Sequence, residues 1–583
     1  MEKSFSGKIW IFLECDEDKL REFKDVGLIG DLTARILLNR GFHEASEIVS
    51  FLGAKLRNTI PNPSLLLGMD EGVDRVAAAI LKNEKIVVFG DYDVDGITAT
   101  YLIVKYLRLL GLQPHRHIPD RFAEGYGISK NSLEEAAHCG ASLAIAVDCG
   151  TNSFDEISAA KKQGLDFVVL DHHVQSIDPL PPAVAIINPN RNDQAEIGIA
   201  HIKKLCAAGV AFLFLIALQR KLKEVGFFRC KSIPDLREFT DAVALGTLCD
   251  VMELRGVNRA VVKHALSKGQ CPTGIAALMQ AFGIEKLSSP EDLSFFVGPA
   301  LNAAGRIGDP SVALNLLLEE NTERASKIAR HLLELNAKRK SIEKEILANA
   351  LVMIKEQDLT GHRGICVAGM GWHEGVIGIV AGKLKDKFNK PIFAISIGEG
   401  GICKGSARSI DGFHIGEFFK KACNAGIILR GGGHALAGGF TIEIGKLTEF
   451  QSLIDSEIRC EFQSVLNIDC TLSPLSNLSQ IAKELAYIEP FGKGVEKPVF
   501  CFKRLLLRDA RKTGTGNHLM LKFSDEFGKG SLRVMLFKSD TKPEICRELD
   551  NNKNELLDIA GTIRYHEQFG GSVILEDARV SMQ

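Results

Sequence analysis

The stretch from Val87 to Gly96, VVFGDYDVDG, constrains this chain more than any other. An apolar strand over residues 86–89 runs into a turn that carries Asp91, Asp93 and Asp95. Alternate residues of an extended chain point the same way. Like charges converging at a strand end repel one another, so folding them together calls for a counter-cation. Hard divalent ions such as Mg²⁺ or Mn²⁺ take such oxygen ligands. Taken alone, the stretch reads equally well as a solvated turn between a strand and a helix.

The chain that follows shifts the balance. Short apolar strands alternate with helices from residue 85 onward: strand 86–89, helix 97–110, strand 143–147, a helix near 153–163, strand 167–170 and strand 242–246. That alternation predicts an α/β fold, a parallel sheet covered by helices on both faces. Ligands in such sheets gather at the carboxyl ends of the strands. Acids and histidines stand at that end four times: Asp91 and Asp93, then Asp148, then Asp171 with His172 and His173, then Asp250. One such Asp is an ordinary cap or turn residue. Four in one sheet, with a His-His pair, point to a metal cluster. Asp91, Asp93, Asp148, His172 and Asp250 are the expected ligands, and a bridging carboxylate allows one or two ions, Mn²⁺ or Mg²⁺. His173 reads as a second ligand, a general acid, a phosphate contact or an orienting residue. Asp95 reads as a cap for a helix starting at Ile97.

Bulk properties bound the rest. A chain of 583 residues is too long for one core and divides into several domains. A net charge of −2 does not argue for a nucleic-acid partner, so any such binding needs a local basic groove. The 14 cysteines include no CxxC pair, which points to reduced thiols in a cytoplasm rather than a disulfide framework or structural zinc. The first ten residues lack a signal-peptide core. The longest apolar run, residues 205–218, is about 14 residues, the length of a buried helix and too short for a membrane span.

GDYDVDG, VDCG, LDHH and GTLCDV, in that order and at those strand ends, resemble the motifs of the DHH phosphoesterases. The length of the chain and NAAGR, Asn302 to Arg306, are similar to the RecJ branch of that family. That resemblance implies a single-strand-specific 5′→3′ DNA exonuclease releasing mononucleotides in repair and recombination. Many DHH members carry a His two residues before the first motif Asp. Here Phe89 stands there, which implies fewer protein ligands for one metal. Arg306 offers a fork for a phosphate, or pairs structurally with Asp309. Asn302 shares its motif and is a candidate substrate contact.

Residues 321–357 show uninterrupted helical spacing of apolar residues and read as a helix connecting two lobes, although Arg339 falls on the apolar stripe. A second α/β unit follows over 361–445. Its segments GWHEGVIGIVAGKL, GSARS and GGGHALAGG closely resemble the DHHA1 domain. That resemblance implies phosphate contacts from Ser406, Arg408, Gly432, Gly433 and His434. A glycine run by itself is more often a tight turn. Trp372 and His373 can stack on a nucleotide, and Trp372 can equally be a packing residue.

Residues 1–84 read as a helical scaffold, 85–318 as the DHH domain, 319–360 as the connecting helix and 446–498 as a helical linker. Residues 499–583 read as five short strands, an OB-type barrel. Lys503, Arg504, Arg508, Arg511 and Lys512 cluster early in it, and Phe502, Phe523, Phe537, Tyr565 and Phe569 are spread among its strands. Basic tracks with aromatics hold single strands. About three of the five aromatics are expected in the core, with Tyr565 and Phe569 the better candidates for stacking. The expected partner is single-stranded DNA, with a single-strand-binding protein or a helicase beside it, and the expected state is a monomer off the membrane. The rival readings are a phosphodiesterase for short oligonucleotides or cyclic dinucleotides and a non-catalytic DNA-binding factor.

Overall fold

The computed structural model describes residues 4–25, 29–196, 198, 200–269, 271–459, 461–513, 517–566 and 570–581. Strand β1 (Ile9–Phe12) opens the chain, followed by short helices that include Ala45–Leu52 and Met69–Leu81. The first sheet comprises β2 (Ile86–Phe89), β3 (His115–His117), β4 (Leu143–Val147), β5 (Asp166–Leu170) and β6 (Ala185–Ile187), all parallel in the order β3-β2-β4-β5-β6. Its strands are continuous apolar runs because both faces are buried. Ile86, Val88, Ile145, Val147, Val168 and Leu170 face the helices Met69–Leu81, Val94–Leu109 and Ala207–Glu224. Val87, Phe89, Ala144, Ala146, Phe167 and Val169 face Lys130–Cys139 and Phe154–Lys162.

One expected strand is absent. Residues 242–246 lie in the helix Thr240–Cys249, packed against Val94–Leu109 and Ala207–Glu224. A short apolar run buried all round has no period that separates helix from strand. Asp250 therefore stands at a helix C-terminus, not at a strand end.

The helix Thr322–Glu356 runs unbroken for 35 residues to the second lobe. Arg339 on its apolar stripe is buried but satisfied, donating to Asn336 and to Glu343 at 2.5 Å. The second sheet comprises β7 (Ile365–Met370), β8 (Ile392–Ile397), β9 (Ile402–Arg408), β10 (Arg430–Gly433) and β11 (Ala437–Glu443), in the order β10-β11-β9-β8-β7. Only β7 and β8 pair in parallel.

The stretch expected to be a purely helical linker is mixed. Helices Leu447–Glu457 and Leu478–Leu485 flank β12 (Val465–Ile468) and β13 (Cys470–Thr471). β12 pairs in parallel with β1, so the first described strand is tied to the last third of the chain. The barrel follows as β14 (Phe500–Thr513), β15 (His518–Asp525), β16 (Ser531–Leu536), β17 (Leu557–His566) and β18 (Gly570–Val580), closed by the β14–β17 pairing. An unexpected helix, Pro543–Asn551, connects β16 to β17. Its core is shared: Phe500, Phe502, Phe523 and Leu557 cluster with Phe23, Leu37 and Phe51 of the N-terminal segment.

One side chain fastens these parts. Arg259 is wholly buried. Its guanidinium donates to the carbonyls of Phe51 (3.1 Å), Ile488 (3.0 Å), Glu489 (2.8 Å) and Pro490 (3.0 Å) and lies over the Phe51 ring. It thus joins the first lobe, the N-terminal segment and the junction before the barrel. Removing the fork leaves buried carbonyls without donors, each costing 1–3 kcal/mol. Arg259→Met is expected to lower unfolding free energy by at least about 3 kcal/mol, read as the urea midpoint at unchanged slope.

Candidate functional site

The turn after β2 brings the first acids together. Gly96 is obligatory there, because a Cβ would sit 2.6 Å from Asp91 N. The helix begins at Val94, three residues earlier than expected, so Asp93 caps it, accepting from Gly96 N at 3.0 Å. Asp95 falls in the first helical turn and is buried. Its carboxylate accepts from Ala207 N (2.6 Å) and Ala208 N (2.9 Å), capping the helix Ala207–Glu224 instead of its own.

The remaining acids and histidines converge on this turn. His172 Nε2 stands 3.2 Å from Asp148 Oδ1, 3.7 Å from Asp95 Oδ2 and 3.8 Å from Asp250 Oδ2. Three overlapping sets each place candidate ligand atoms within 4.8 Å of one another: Asp91, Asp93 and Asp148; Asp148, His172 and His173; Asp95, His172 and Asp250. Asp148 and His172 each belong to two sets. Oδ1 of Asp91 and of Asp148 are buried and accept no hydrogen bond. Burial and the surrounding carboxylates push both groups well above the usual carboxylate range. Burial, Asp95 and Asp93 push Asp250 up to about 8. Asp148 adopts φ +61°, and Val251, next to Asp250, adopts φ +54°. A β-branched residue there is strained, and such strain persists where packing holds a side chain in place. Buried oxygens without donors, mutual repulsion and nearby imidazoles are a donor set that fits a divalent cation.

Asp171 orients the histidines. It accepts from Thr151 N, His172 N and His173 N, and from His173 Nδ1 at 2.8 Å. Burial works against its charge, but these bonds hold the carboxyl well below its usual range. Burial likewise opposes a charged His173, yet Asp171 raises it to about 9. Tyr126 Oη donates to Asp148 O at 2.8 Å and lies 3.1 Å from His173 Nδ1. Phe89 stacks on Phe167 at 5.8 Å in the core and contributes no ligand atom.

The opposite wall is cationic. Asn302 and Arg306 lie one turn apart on the helix Gly298–Ile307. Gly305 lets that helix approach the acid turn: a Cβ would meet Tyr92 O at 2.6 Å. Arg306 makes no pair with Asp309 among the described residues. It donates to Gly375 O in the second lobe at 3.1 Å, while Asp309 caps Ser311. Burial together with Arg121 and Arg408 lowers Arg306 to about 10. Ser406 and Arg408 share a face of β9, 3.4 Å apart. The His434 ring stacks on His173 across the lobes, with centroids 6.1 Å apart. Gly432 and Gly433 form no tight turn. They belong to edge strand β10, paired with Gly439 and Gly438, and they are exposed.

Of the two aromatic candidates in the second lobe, one lacks a free face. Trp372 is buried in the core of the second lobe, against Gly369, and has no face for a nucleotide. His373 caps the helix Glu374–Phe388, accepting from Gly375 N, with its ring edge-on to Phe122 in the seam between lobes. In the barrel, Tyr565 is exposed, Phe537 partly so, and Phe502 and Phe523 are core; Phe569 lies outside the described residues. The early basic cluster is largely spent internally: Arg504 on Glu526, Arg511 on Asp509, Lys503 over Phe12. A groove of about 600 Å3 runs across β14–β16, lined by Arg511 of that cluster and by Lys522, which stands opposite Arg533. Sequence reading missed that pair because its members lie on different strands. It also missed the roles of Arg121 and Tyr126, which sit in a loop without periodicity.

Fold and site together define a two-lobed α/β phosphoesterase of the DHH class. The DHH family N-terminal domain matches residues 85–247, the DHHA1 domain 362–459 and the RecJ OB domain 468–574. The chain belongs to the RecJ family of single-stranded-DNA-specific exonucleases. It is 34% identical to the RecJ exonuclease of Haemophilus influenzae, over 82% of this chain and 85% of that one. It is 35% identical to that of Escherichia coli K12, over 80% and 82%. The crystal structure of Thermus thermophilus RecJ with Mn²⁺ superposes with TM-score 0.80 at 27% identity, covering 98% of this chain and 80% of that one. The same protein with Mg²⁺ gives 0.72.

The repulsion gives a test of opposite signs. Asp148→Asn is expected to raise the melting temperature of metal-free protein and to abolish the rise that Mn²⁺ gives the native chain, about 2.7 kcal/mol at a hundredfold excess over Kd. Asp250 is raised from 3.8 to about 8, so the metal-free fold binds more protons than the unfolded chain and its stability falls with pH across that window. Melting curves in EDTA from pH 5 to pH 8 should fall accordingly.

Proposed function

We propose that this chain degrades single-stranded DNA from the 5′ end to mononucleotides, with Mn²⁺ or Mg²⁺ held by Asp91, Asp93, Asp148, His172 and Asp250. The observation that carries this reading is the run of overlapping ligand sets, with two buried carboxylate oxygens that accept no hydrogen bond, beside two half-buried arginines, one from each lobe, at the seam. Divalent ions there supply Lewis-acid activation of water and neutralise charge at phosphorus. Arg306, Arg408 and Ser406 hold the terminal phosphate, and the exposed backbone of β10 with His434 closes over it. His173, kept cationic and oriented by Asp171, protonates the leaving oxygen. Asn302 and the Tyr565 region contact the strand.

A site in the seam between two lobes admits one strand and excludes a duplex. The barrel groove, with Lys522 and Arg533, continues the track and favours long polymers over cyclic dinucleotides. The cysteines among the described residues are free thiols, in keeping with a cytoplasmic setting, and no helix there is long and apolar enough to cross a membrane. A monomer working beside a single-strand-binding protein or a helicase completes the reading.

With Mn²⁺ and 5′- or 3′-labelled single strands, the 5′ label should appear as mononucleotide first. Asp91→Ala and Asp148→Ala are each expected to lower kcat at least about a thousandfold. Full activity in either variant would sink the mechanism.

A further inference from the structure

The junction before the barrel carries Phe491, Gly492, Lys493 and Gly494. Gly492 and Val495 exchange both backbone hydrogen bonds at 3.0 Å, so Lys493 and Gly494 form a two-residue turn. Gly494 supplies the left-handed corner at φ +77°. This turn is seated on the first lobe. Leu254 N donates to Lys493 O at 2.9 Å. Arg255 Nη2 donates to Gly494 O at 3.3 Å. A Cβ on Gly492 would meet Leu254 Cδ1 at 2.6 Å, and one on Gly494 would meet Glu253 Cγ at 3.3 Å. Arg259 holds the carbonyls of Ile488, Glu489 and Pro490 just upstream. The seat is therefore the run 253–259, which starts three residues after Asp250.

The side chain presented by this turn has nothing of its own to do. Lys493 is exposed and has no hydrogen-bond or ion-pair partner among the described residues. A lysine offers three donors and no acceptor, so its free ammonium can receive an anion. Yet no carboxylate lies within ion-pairing distance of it among the described residues. An unpaired cation on a turn seated three residues after Asp250, at the junction that leads into the barrel, is placed to meet a strand passing between the two.

We propose that Lys493 is a substrate-binding residue, its ammonium contacting a backbone phosphate of the single strand between the metal site and the barrel groove. The pinned junction is then part of the binding track and not merely a linker. This rests on the exonuclease reading above. Lys493 would add a contact common to every strand that reaches the barrel, and none to a dinucleotide that ends at the metal site.

Binding of oligo(dT) to the full chain, measured by anisotropy with Ca²⁺ replacing Mn²⁺ across a range of salt, decides it. Each phosphate contact on a single strand contributes about 0.7 to the slope of log K against log salt. Lys493→Ala is expected to reduce that slope by about 0.7 and Lys493→Arg to restore it. In Mn²⁺, Lys493→Ala should raise KM for a long strand about fivefold with kcat nearly unchanged, and leave a dinucleotide unaffected. An unchanged slope in Lys493→Ala, or a loss that Lys493→Arg does not restore, overturns the assignment. A native chain that binds oligo(dT) but cuts nothing would overturn the exonuclease reading, while the slopes would still decide Lys493.

Discussion

The repulsion among buried carboxylates organises this molecule. Asp91, Asp148 and Asp95 are almost fully removed from water, with Asp93 and Asp250 beside them. Isolated buried charge is costly, and here the like charges add to one another. The fold meets part of that cost with fixed dipoles. Asp95 sits on the N-terminus of the helix Ala207–Glu224, Asp93 on that of Val94–Leu109, and Asp171 gathers three backbone donors. What the dipoles leave over, chiefly the bare oxygens of Asp91 and Asp148, is the part that cations must answer. Under the proposed function, divalent ions at these oxygens would relieve that repulsion.

Arginines on the far wall obey the same logic with the sign reversed. Burial and the charge of Arg121 lower the basicity of Arg306 and Arg408, and these two have carbonyls rather than carboxylates as hydrogen-bond partners. Clustered cations without counterions await an anion, and the negative cluster across the seam cannot supply it without closing the cleft. A phosphate between cations on both sides satisfies the two walls at once. The His173–His434 stack bridges the lobes at that position. The lobe arrangement, held by the rigid helix Thr322–Glu356 and by the Arg306–Gly375 bond, is therefore a determinant of chemistry and not of shape alone.

Much of this was legible in the chain. The first sheet's main strands, the connecting helix and the acid-histidine set follow from period, apolar run length and strand-end placement. What escaped sequence reading had physical causes. The run 242–246 is buried on every side and carries no period. Asp95 looked like a local cap because a cap for another helix, more than a hundred residues away, leaves no local trace. The glycines at 431–433 read as a phosphate cradle or, taken alone, a tight turn, and the strand they form escaped because their smallness serves close pairing: a Cβ on Gly433 would strike Ala437 O at 2.3 Å. Trp372 was ambiguous because an aromatic's burial is decided by what covers it, here Gly369 and the surrounding core. The barrel's basic groove was legible only in part: Arg511 lines it, but Lys522 and Arg533 come from neighbouring strands, and a groove is assembled across strands.

The least expected feature is how little the barrel resembles an appendage. Its core is continuous with Phe23, Leu37 and Phe51, β1 is bound to β12, and Arg40 locks Asp469 at 2.7 Å. Cutting the chain before residue 499 would expose this shared core and unseat the N-terminal segment as well as the barrel. Truncation therefore cannot separate binding from folding in this protein; point substitutions on the barrel surface can. The N-terminal segment, which carries no chemistry of its own, acquires a purpose from the same contacts. With Arg259 it fixes the barrel at one distance and angle from Asp250, so under the proposed function a strand held in the groove would reach the acid cluster along a preset path. A flexible tether would give the same local concentration but not the same register, and register is what an enzyme removing nucleotides one after another has to keep.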